Sequence, residues 1–291
     1  MTEVATRASR RLKSLLASRR AAILPGTPNA LFARVIAAHG FKGVYVTGAG
    51  IANMSFGAPD IGLVTCTELV EHVAAIADAV DVPILVDADT GFGNALNVRR
   101  TVRLLERAGA AGIQIEDQVF PKKCGHFSGK QVIACDEMVG KIKAAVDARN
   151  DEDVQIVART DARAIEGIDA ALERAQAYVE AGADVTFVEA PLDAGEMRRI
   201  AADIHVPQLA NIVFGGLTPP LPQSELAKIG FGGVLYANAA LQAALKSVNE
   251  ILVALKRDGS LEEVADRLAG FEERQQAVAK ARYDELDQRY R

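Results

Sequence analysis

The chain has 291 residues, of which 49% are hydrophobic and 24% charged, a composition that excludes a disordered or fibrous protein. Its net charge of −5 argues against nucleic-acid binding, and it has no run of ~18 apolar residues that could span a membrane. The three cysteines, Cys66, Cys124 and Cys135, are too few for a disulfide framework, so we expect a reduced, cytoplasmic protein.

In chain order, an amphipathic segment with Leu12, Leu15 and Leu16 predicts a first helix. Eight short runs rich in β-branched residues then alternate with longer amphipathic segments. The runs are Ala22–Leu24, Gly43–Thr47, Pro83–Asp89, Gly112–Asp117, Gln155–Asp161, Val185–Ala190, Gln208–Ile212 and Gly233–Ala237. The segments include Cys66–Ala79, Ala95–Ala108, Asp136–Ala148, Ile168–Ala181 and Glu196–Ile204. Because the runs lack alternation of polar and apolar residues, they predict a parallel sheet, and eight such units predict a closed (β/α)8 barrel of the TIM type.

No linker rich in Gly, Pro or Ser divides the chain, so residues 1–257 are predicted to form one catalytic barrel. Residues 258–291 are predicted to form a C-terminal helical extension, with acids and bases interleaved over Leu261–Gly270 and Phe271–Tyr290. Such a helix is either a solvated face or a subunit contact. Its position outside the eight units favours the contact.

Polar side chains cluster where the predicted strands end, and barrels of this type carry their chemistry at the carboxyl ends of the strands. These residues are Tyr45, Thr47, Asp87, Asp89, Glu116, Asp117, Arg159, Asp161, Glu189 and Asn211. Carboxylates that converge without a cation repel one another, and burying them unpaired is costly. The pattern therefore predicts a divalent cation with oxygen ligands.

Asp87 and Asp89 are two residues apart on a strand and therefore point to the same face. Mg²⁺ is commonly bound by one or two carboxylates, with waters and substrate oxygens completing the octahedron. Taken alone, such a pair more often caps the following turn and helix. The nearby Glu116 and Glu189 favour a site for Mg²⁺ or Mn²⁺.

The loop after the fourth strand places Cys124 next to two lysines and close to His126. Positive charge lowers the pKa of a cysteine and raises its thiolate fraction, so Cys124 is predicted to take part in chemistry. His126 either acts with the thiol or only braces the loop. The glycines Gly125 and Gly129 would allow the loop to close over a bound anion.

Arg159, at the end of the fifth strand, is predicted to pair with Glu189 or to bind a substrate carboxylate, and both roles can hold together. After the second strand, Thr47-Gly48-Ala49-Gly50 offers backbone N–H groups with little side-chain bulk. Such a segment suits the binding of an anionic oxygen.

Three segments resemble the isocitrate lyase/phosphoenolpyruvate mutase superfamily. They are Val-Asp-Ala-Asp-Thr-Gly-Phe-Gly at 86–93, Gly-Ile-Gln-Ile-Glu-Asp-Gln at 112–118 and Lys-Lys-Cys-Gly-His at 122–126. The last of these is similar to the carbon–carbon lyase branch, whereas the mutase, hydrolase and decarboxylase branches generally lack that cysteine. The chain length resembles 2-methylisocitrate lyase and 2-alkylmalate lyases such as 2,3-dimethylmalate lyase.

The resemblance implies a (β/α)8 barrel in a homotetramer, with terminal helices swapped between subunits. It also implies retro-aldol cleavage of a 2-hydroxy di- or tricarboxylate to a 2-keto acid, such as pyruvate, and a carboxylic acid. Mg²⁺ would be held by Asp87, with Asp89 and Glu116 reaching it largely through water. Tyr45 is implied as a candidate base for the hydroxyl proton, and Cys124 would protonate the carbanion.

The same match implies further site residues around a small carboxylate substrate. The additional catalytic residues are Lys122, His126 and Arg159. The implied substrate-binding residues are Thr47, Gly48, Ala49, Asp60, Gly125, Arg159, Glu189 and Asn211.

One segment departs from the family pattern. Two and three residues after Asn211, tricarboxylate-cleaving relatives usually have a hydroxyl residue and a glutamate, whereas this chain has Val213 and Phe214. An apolar wall there cannot hydrogen-bond a distal carboxylate, and burying that group unpaired is costly. We therefore expect a smaller substrate, a malate with an alkyl substituent.

Three other functions compete with this interpretation. Oxaloacetate hydrolysis or decarboxylation would use the same metal site, and a phosphoenolpyruvate mutase-type enzyme would not need Cys124. A catalytically idle barrel that serves as a binding protein would need none of the polar strand ends.

Overall fold

Eight parallel strands form a closed barrel in the computed structural model, which describes residues 6–125 and 129–291. The strands are β1 (Ala22–Thr27), β2 (Val44–Val46), β3 (Ile84–Asp87), β4 (Gly112–Glu116), β5 (Gln155–Thr160), β6 (Val185–Val188), β7 (Gln208–Asn211) and β8 (Gly233–Tyr236). Each strand pairs with the next, and β1 pairs with β8 to close the ring. The predicted (β/α)8 barrel is therefore confirmed.

Helices surround the barrel and follow its strands. They are α1 (Ala8–Ala17), α2 (Ala30–Ala38), α3 (Gly48–Phe56), α4 (Cys66–Ala79), α5 (Ala95–Arg107), α6 (Cys135–Ala148), α7 (Arg163–Glu166), α8 (Ile168–Glu180), α9 (Ala194–Asp203), α10 (Gln223–Ile229), α11 (Ala239–Asp258), α12 (Phe271–Ala277) and α13 (Lys280–Tyr290). A 3₁₀ helix spans Glu262–Arg267. The five predicted barrel helices are confirmed, with ends that differ by at most two residues.

Local side-chain contacts explain where several helices begin. The Thr65 hydroxyl accepts from the N–H of Glu68, and the Glu68 carboxylate accepts from the N–H of Thr65, so α4 starts with a capping box. Asn94 and Asn97 form the same arrangement before α5. These contacts satisfy N–H groups that the first helical turn leaves without partners.

Three predicted elements have different bounds in the structure. Strand β1 does not end at Leu24 but continues through Pro25, which lies opposite Tyr236 of β8. In the tail, the predicted helix Leu261–Gly270 is the short 3₁₀ helix, and Phe271–Tyr290 is interrupted before α13. The break lies at Ala279, whose φ of 54° is left-handed and incompatible with a continuous helix.

The inside of the barrel contains two layers of side chains. The lower layer is apolar and consists of Leu24, Leu85, Val157, Val185 and Leu209, covered from below by Leu12 and Leu16 of α1. The upper layer is polar and consists of Asp87, Glu116, Arg159, Glu189 and Asn211, at the carboxyl ends of the strands. Because side chains repeat every two residues along a strand, Leu85 and Asp87 point the same way, as do Val157 and Arg159. The fold thus places the polar strand ends at one mouth of the barrel.

The C-terminal helices carry exposed apolar side chains. On α11, Leu252 and Val253 are more than half exposed, and Phe271 at the start of α12 is 74% exposed. The predicted exchange of these helices between subunits stays a prediction. Over the described ranges, no helix is both long and apolar enough to cross a membrane.

Candidate active site

Arg159 lies at the centre of the upper layer, almost fully buried. Its Nε lies 3.2 Å from Oε2 of Glu116, and its Nη2 lies 3.1 Å from Oε2 of Glu189. Asp161 accepts a hydrogen bond from Nε at 2.9 Å, and the guanidinium lies 5.1 Å from the centroid of the Phe187 ring. Burial alone would lower the pKa of Arg159, but the three carboxylates raise it well above its usual value. The predicted pairing with Glu189 is present, and substrate binding stays a prediction.

Lys122 joins a predicted metal ligand to a predicted substrate-binding residue. Its buried Nζ donates to Asp60 and lies 2.7 Å from Oδ1 of Asp89. Burial alone would lower the pKa of Lys122, but the surrounding carboxylates raise it well above its usual value. Burial raises the pKa of Asp89 to about 6 even though Lys122 opposes the rise. The three residues therefore form one ion-paired cluster.

Asp87 and Glu116 supply carboxylate oxygens close enough for their charges to interact. Oδ1 of Asp87 accepts a hydrogen bond from Nε2 of Gln114 at 3.1 Å. Oε1 of Glu116 is buried and has no hydrogen-bond partner, and burial raises the pKa of this residue well above its usual value. A buried carboxylate oxygen without a partner is costly, and a hard cation is one partner that would satisfy it.

The described residues do not form a direct three-ligand metal site. Among residues 6–125 and 129–291, no three His, Cys, Asp or Glu side chains group in a way that could hold a metal ion. The predicted ligands Asp87, Asp89 and Glu116 would thus need water and substrate oxygens to complete the coordination of an ion. Mg²⁺ is commonly bound in this way, through one or two carboxylates.

The predicted anion cradle is the first turn of helix α3. A Cβ at Gly48 would lie 3.3 Å from Oδ1 of Asp89 and 3.5 Å from Oδ2 of Asp87, so the helix begins directly beside these carboxylates. Thr47 caps the helix with its hydroxyl, and Ala49 lies in the same turn. Backbone N–H groups at a helix start favour negative charge nearby.

Tyr45 is buried below the aspartates. Its hydroxyl donates to Oε1 of Gln114 at 3.4 Å. Burial, together with the charge of Asp87, raises the pKa of Tyr45 well above its usual value. The phenol is therefore neutral at neutral pH, and the predicted base would be present only as a small phenolate fraction.

The loop that carries Cys124 lies against Arg159. A Cβ at Gly125 would lie 2.5 Å from Nη2 of Arg159 and 2.8 Å from Cδ of Glu189, so a larger residue would collide there. Cys124 is partly buried and is a thiol, not half of a disulfide. His126, predicted as a catalytic residue, lies outside the described residues.

Contacts that the sequence did not indicate hold this loop. Gln118 donates from Nε2 to the carbonyl of Lys123 at 2.8 Å and accepts from its N–H at 2.9 Å. Lys130 donates to the carbonyl of Gly125 and to Oδ1 of Asp161. A lysine that follows a glycine-containing loop is normally predicted to be exposed, so the sequence did not indicate that Lys130 is buried. Of the side chains in these contacts, only that of Asp161 was indicated by the sequence, because it lies at the end of a predicted strand.

Asn211 and Asp117 behave differently, although both end strands. Oδ1 of Asn211 is buried without a hydrogen-bond partner, as expected of a group that awaits a ligand. Asp117 accepts from the hydroxyl of Thr160 at 2.7 Å and from the hydroxyl of Tyr178 at 2.8 Å. Asp117 is therefore satisfied within the protein and serves the structure.

The expected apolar wall after Asn211 requires correction. Phe214 is 89% exposed, and Val213 is only partly buried. The carbonyl of Phe214 accepts from Nε2 of Gln242 at 3.3 Å, which fixes the backbone while the ring faces solvent. Phe214 therefore does not line a buried substrate site here.

Known proteins resemble this chain over almost its whole length. The model of the phosphoenolpyruvate phosphomutase family matches residues 12–256. The chain is 46% identical to the 2,3-dimethylmalate lyase of Eubacterium barkeri over 280 residues, covering 96% of this chain and 97% of that protein. It is also 46% identical to the 2-methylisocitrate lyase of Aeropyrum pernix over 257 residues, covering 88% of this chain and 82% of that protein.

Solved structures are also similar to this chain over almost its whole length. A 2,3-dimethylmalate lyase superimposes with a TM-score of 0.92 and 32% identity, covering 98% of this chain and 96% of that one. A phosphonopyruvate hydrolase in complex with oxalate and Mg²⁺ superimposes with a TM-score of 0.87 and 31% identity, covering 98% and 99%. The barrel, its charged mouth and these relatives together show that the chain belongs to the phosphoenolpyruvate mutase/isocitrate lyase family, as a carbon–carbon lyase.

Proposed function

We propose that this protein cleaves a 2-alkylmalate in a Mg²⁺-dependent retro-aldol reaction. The products are a 2-keto acid such as pyruvate and a carboxylic acid. The observation that carries the proposal is the position of the Cys124 loop, because Gly125 lies against Arg159 at the centre of a carboxylate-lined mouth. The similarity to 2,3-dimethylmalate lyase over nearly the whole chain supports the substrate class.

Mg²⁺, or Mn²⁺ in its place, would be held by Asp87, with Asp89 and Glu116 acting through water. The partnerless Oε1 of Glu116 and the oxygen donors of the upper layer fit a hard cation. When bound, the ion stabilises negative charge that develops on the keto-acid oxygens. The related phosphonopyruvate hydrolase, solved with oxalate and Mg²⁺, supports this assignment.

The protein's own groups bind the substrate and move its protons. Arg159 and Asn211 donate to carboxylate oxygens, and the N–H groups of Gly48 and Ala49 bind the keto-acid end. As the C2–C3 bond breaks, its electron pair stays on C3, and the Cys124 thiol donates a proton to that carbon.

Removal of the hydroxyl proton is assigned to Tyr45, as the resemblance implies. Because burial and the charge of Asp87 raise the pKa of Tyr45, its phenolate is rare at neutral pH. The Lys122–Asp60 ion pair lies next to Asp89 and positions that carboxylate.

The choice of an alkylmalate over 2-methylisocitrate depends on the segment after Asn211. The two curated relatives are equally identical to this chain, so identity does not decide between their substrates. Of this segment, Phe214 faces solvent, and the partly buried Val213 carries no hydrogen-bonding side chain for a third carboxylate. That absence favours a dicarboxylate whose substituent is apolar.

The test is a substrate panel containing 2,3-dimethylmalate, 2-methylmalate and 2-methylisocitrate, with release of the keto acid measured. We expect the highest kcat/KM for an alkylmalate, loss of activity in EDTA, and recovery with Mg²⁺ or Mn²⁺. Calorimetric titration with Mg²⁺ and oxalate gives a binding readout that does not depend on turnover. A strong preference for 2-methylisocitrate would contradict the substrate assignment.

The competing activities give different products. Oxaloacetate hydrolysis yields oxalate and acetate, and its decarboxylation yields pyruvate and CO₂, so product analysis separates both from retro-aldol cleavage. No heat on titration with Mg²⁺ and oxalate would instead favour a non-catalytic binding protein.

The domain division and assembly belong to the same proposal. Residues 1–257 form the catalytic barrel, and residues 258–291 form the extension that contacts neighbouring subunits in a homotetramer. The exposed Phe271 of the extension supports such a contact, and the exposed Leu252 and Val253 on the preceding helix α11 would continue it. Light scattering on the full chain and on a Leu252→Glu variant tests it, and an unchanged mass would contradict it.

A further inference from the structure

Lys130 is a buried lysine at the end of the segment that carries Cys124. Its side chain is 2% exposed, and Nζ lies 2.6 Å from Oδ1 of Asp161, whose side chain is fully buried. The same Nζ donates to the carbonyl oxygen of Gly125. A buried ammonium group is costly unless acceptors surround it, and these two contacts supply them. One side chain therefore joins the Cys124 segment to the end of β5.

Asp161 continues this connection to Arg159. Its Oδ2 accepts from Nε of Arg159 at 2.9 Å, and its Oδ1 accepts from Nη2 at 3.2 Å. Two parallel contacts of this kind fix the plane of a guanidinium as well as its position. The backbone N–H of Asp161 donates to Asp117 at 2.9 Å, so the backbone that carries this carboxylate is itself held in place. Lys130 and Arg159 thus share one fixed carboxylate.

Gly125 meets Arg159 directly as well. The close approach leaves no space for a Cβ between this residue and the guanidinium. Gly125 is therefore held through its carbonyl by Lys130 and lies in close contact with Arg159. The neighbouring residue in the chain is Cys124, whose sulfur must reach one carbon atom of the substrate.

We infer that Lys130 is a positioning residue, which fixes Gly125 through its carbonyl and thereby sets the distance between the Cys124 thiol and the substrate bound by Arg159. This inference rests on the proposed function, because it concerns the proton donor of that reaction. Lys130 itself touches neither substrate nor reacting atoms. It acts by setting the position of the Cys124 thiol relative to the substrate when the carbanion forms.

Three variants and one control test the inference. Lys130→Met removes the ammonium group, whereas Lys130→Arg keeps a cation with several donors. Gly125→Ala places a methyl group against Arg159 and Glu189 and so displaces the residue that Lys130 holds, without removing a buried charge. It does not depend on whether Lys130→Met folds well. Lys143→Met changes an exposed lysine on α6 and serves as the matched control.

Two measurements are made on each variant. The first is kcat and KM for the malate that the wild-type protein cleaves. The second is the rate at which iodoacetamide alkylates Cys124, followed by peptide mass spectrometry, with Cys66 as the internal reference.

For Lys130→Met we expect kcat to fall about 100-fold, because a displacement of ~1 Å can cost that much. KM should change by less than about threefold, since substrate binding is largely preserved. Alkylation of Cys124 should become about fivefold faster through local opening, with no change at Cys66. Lys130→Arg should recover most of kcat, Gly125→Ala should reproduce both effects, and the control should show neither.

The inference is overturned if Lys130→Met keeps kcat within about twofold. It is also overturned if Cys66 and Cys124 accelerate equally and Lys130→Arg recovers nothing, because Lys130 would then act only on stability. If the wild-type protein cleaves no malate, the proposed function fails, while the alkylation rates still test the connection between Lys130 and Cys124.

Discussion

On β3, β5 and β7 the residues of the lower and upper layers lie two residues apart, yet different interactions stabilise the two layers. The lower layer buries leucine and valine side chains, which gain free energy on leaving water. The upper layer buries carboxylates and a guanidinium, whose desolvation is offset only by mutual pairing. The free energy gained by burying apolar side chains is therefore enough to explain the lower layer. The upper layer needs a further reason, which is the chemistry of the site.

The largest effect is expected from removing the positive centre of the upper layer. Arg159→Met leaves Glu116, Asp161 and Glu189 without their guanidinium, and an uncompensated buried charge costs about 3–5 kcal/mol. We expect that loss in the free energy of unfolding in urea, with activity below detection. Arg163→Met is the control, because Arg163 pairs with Glu196 near the surface. Equal losses of unfolding free energy in the two variants would show that the buried charges of the upper layer contribute no more to stability than an ion pair near the surface.

The second prediction separates chemistry from stability within the same mouth. Cys124→Ala should lower kcat by about 10²–10⁴-fold, the usual contribution of a positioned proton donor. The free energy of unfolding should be almost unchanged, because the thiol is only partly buried. Cys66→Ala, which changes a thiol on α4, should keep full activity. Full activity in Cys124→Ala would favour the phosphonomutase type of reaction.

The lower layer should show the opposite behaviour. Leu16→Ala removes a fully buried side chain from below the barrel and should cost about 2–5 kcal/mol of unfolding free energy. At temperatures where the variant is folded, kcat should stay near the wild-type value, because Leu16 is far from the mouth. A large fall in kcat would mean that the two layers are mechanically coupled.

The smallest effect concerns pH. Burial alone would raise the pKa of Asp161, but Arg159 and Lys130 lower it to about 2. A lowered acid contributes stability above its unfolded pKa of ~3.9 and loses it as pH falls through the folded value. Between pH 4 and pH 2, this group should therefore account for about 2 kcal/mol of lost unfolding free energy. Urea unfolding of Asp161→Asn should show a shallower acid decline, and parallel curves would contradict the assignment.

The sequence was sufficient for the barrel because each strand is a short apolar run followed by a helix. The ends of strands and helices were harder to predict where a residue adopts a conformation that is unusual for its type. Pro25 lacks an N–H group, so a strand was not expected to continue through it, yet pairing with β8 holds it in the sheet. Ala279 has no sequence feature that predicts a left-handed φ, so the interruption before α13 was missed.

The candidate site was predictable for residues whose position depends on the strand register alone. Asp87, Glu116 and Arg159 lie at or next to the carboxyl ends of their strands, and the register places Glu116 directly opposite Arg159. Lys130 could not be found in this way, because its burial depends on the path of a loop. The same limit applies to Phe214, which lies in the loop three residues after Asn211 and is 89% exposed, whereas Asn211 is buried.

The exposed position of Phe214 bears on how this enzyme can diversify. Residues 213–217 lie shortly after the carboxyl end of β7, and an outward-facing ring such as that of Phe214 adds little to folding. Mutations in this stretch can accumulate, or be introduced as a library, while the cleavage machinery is left intact. Substitutions in residues 213–217 should therefore change the choice of substrate more readily than they change the rate of cleavage.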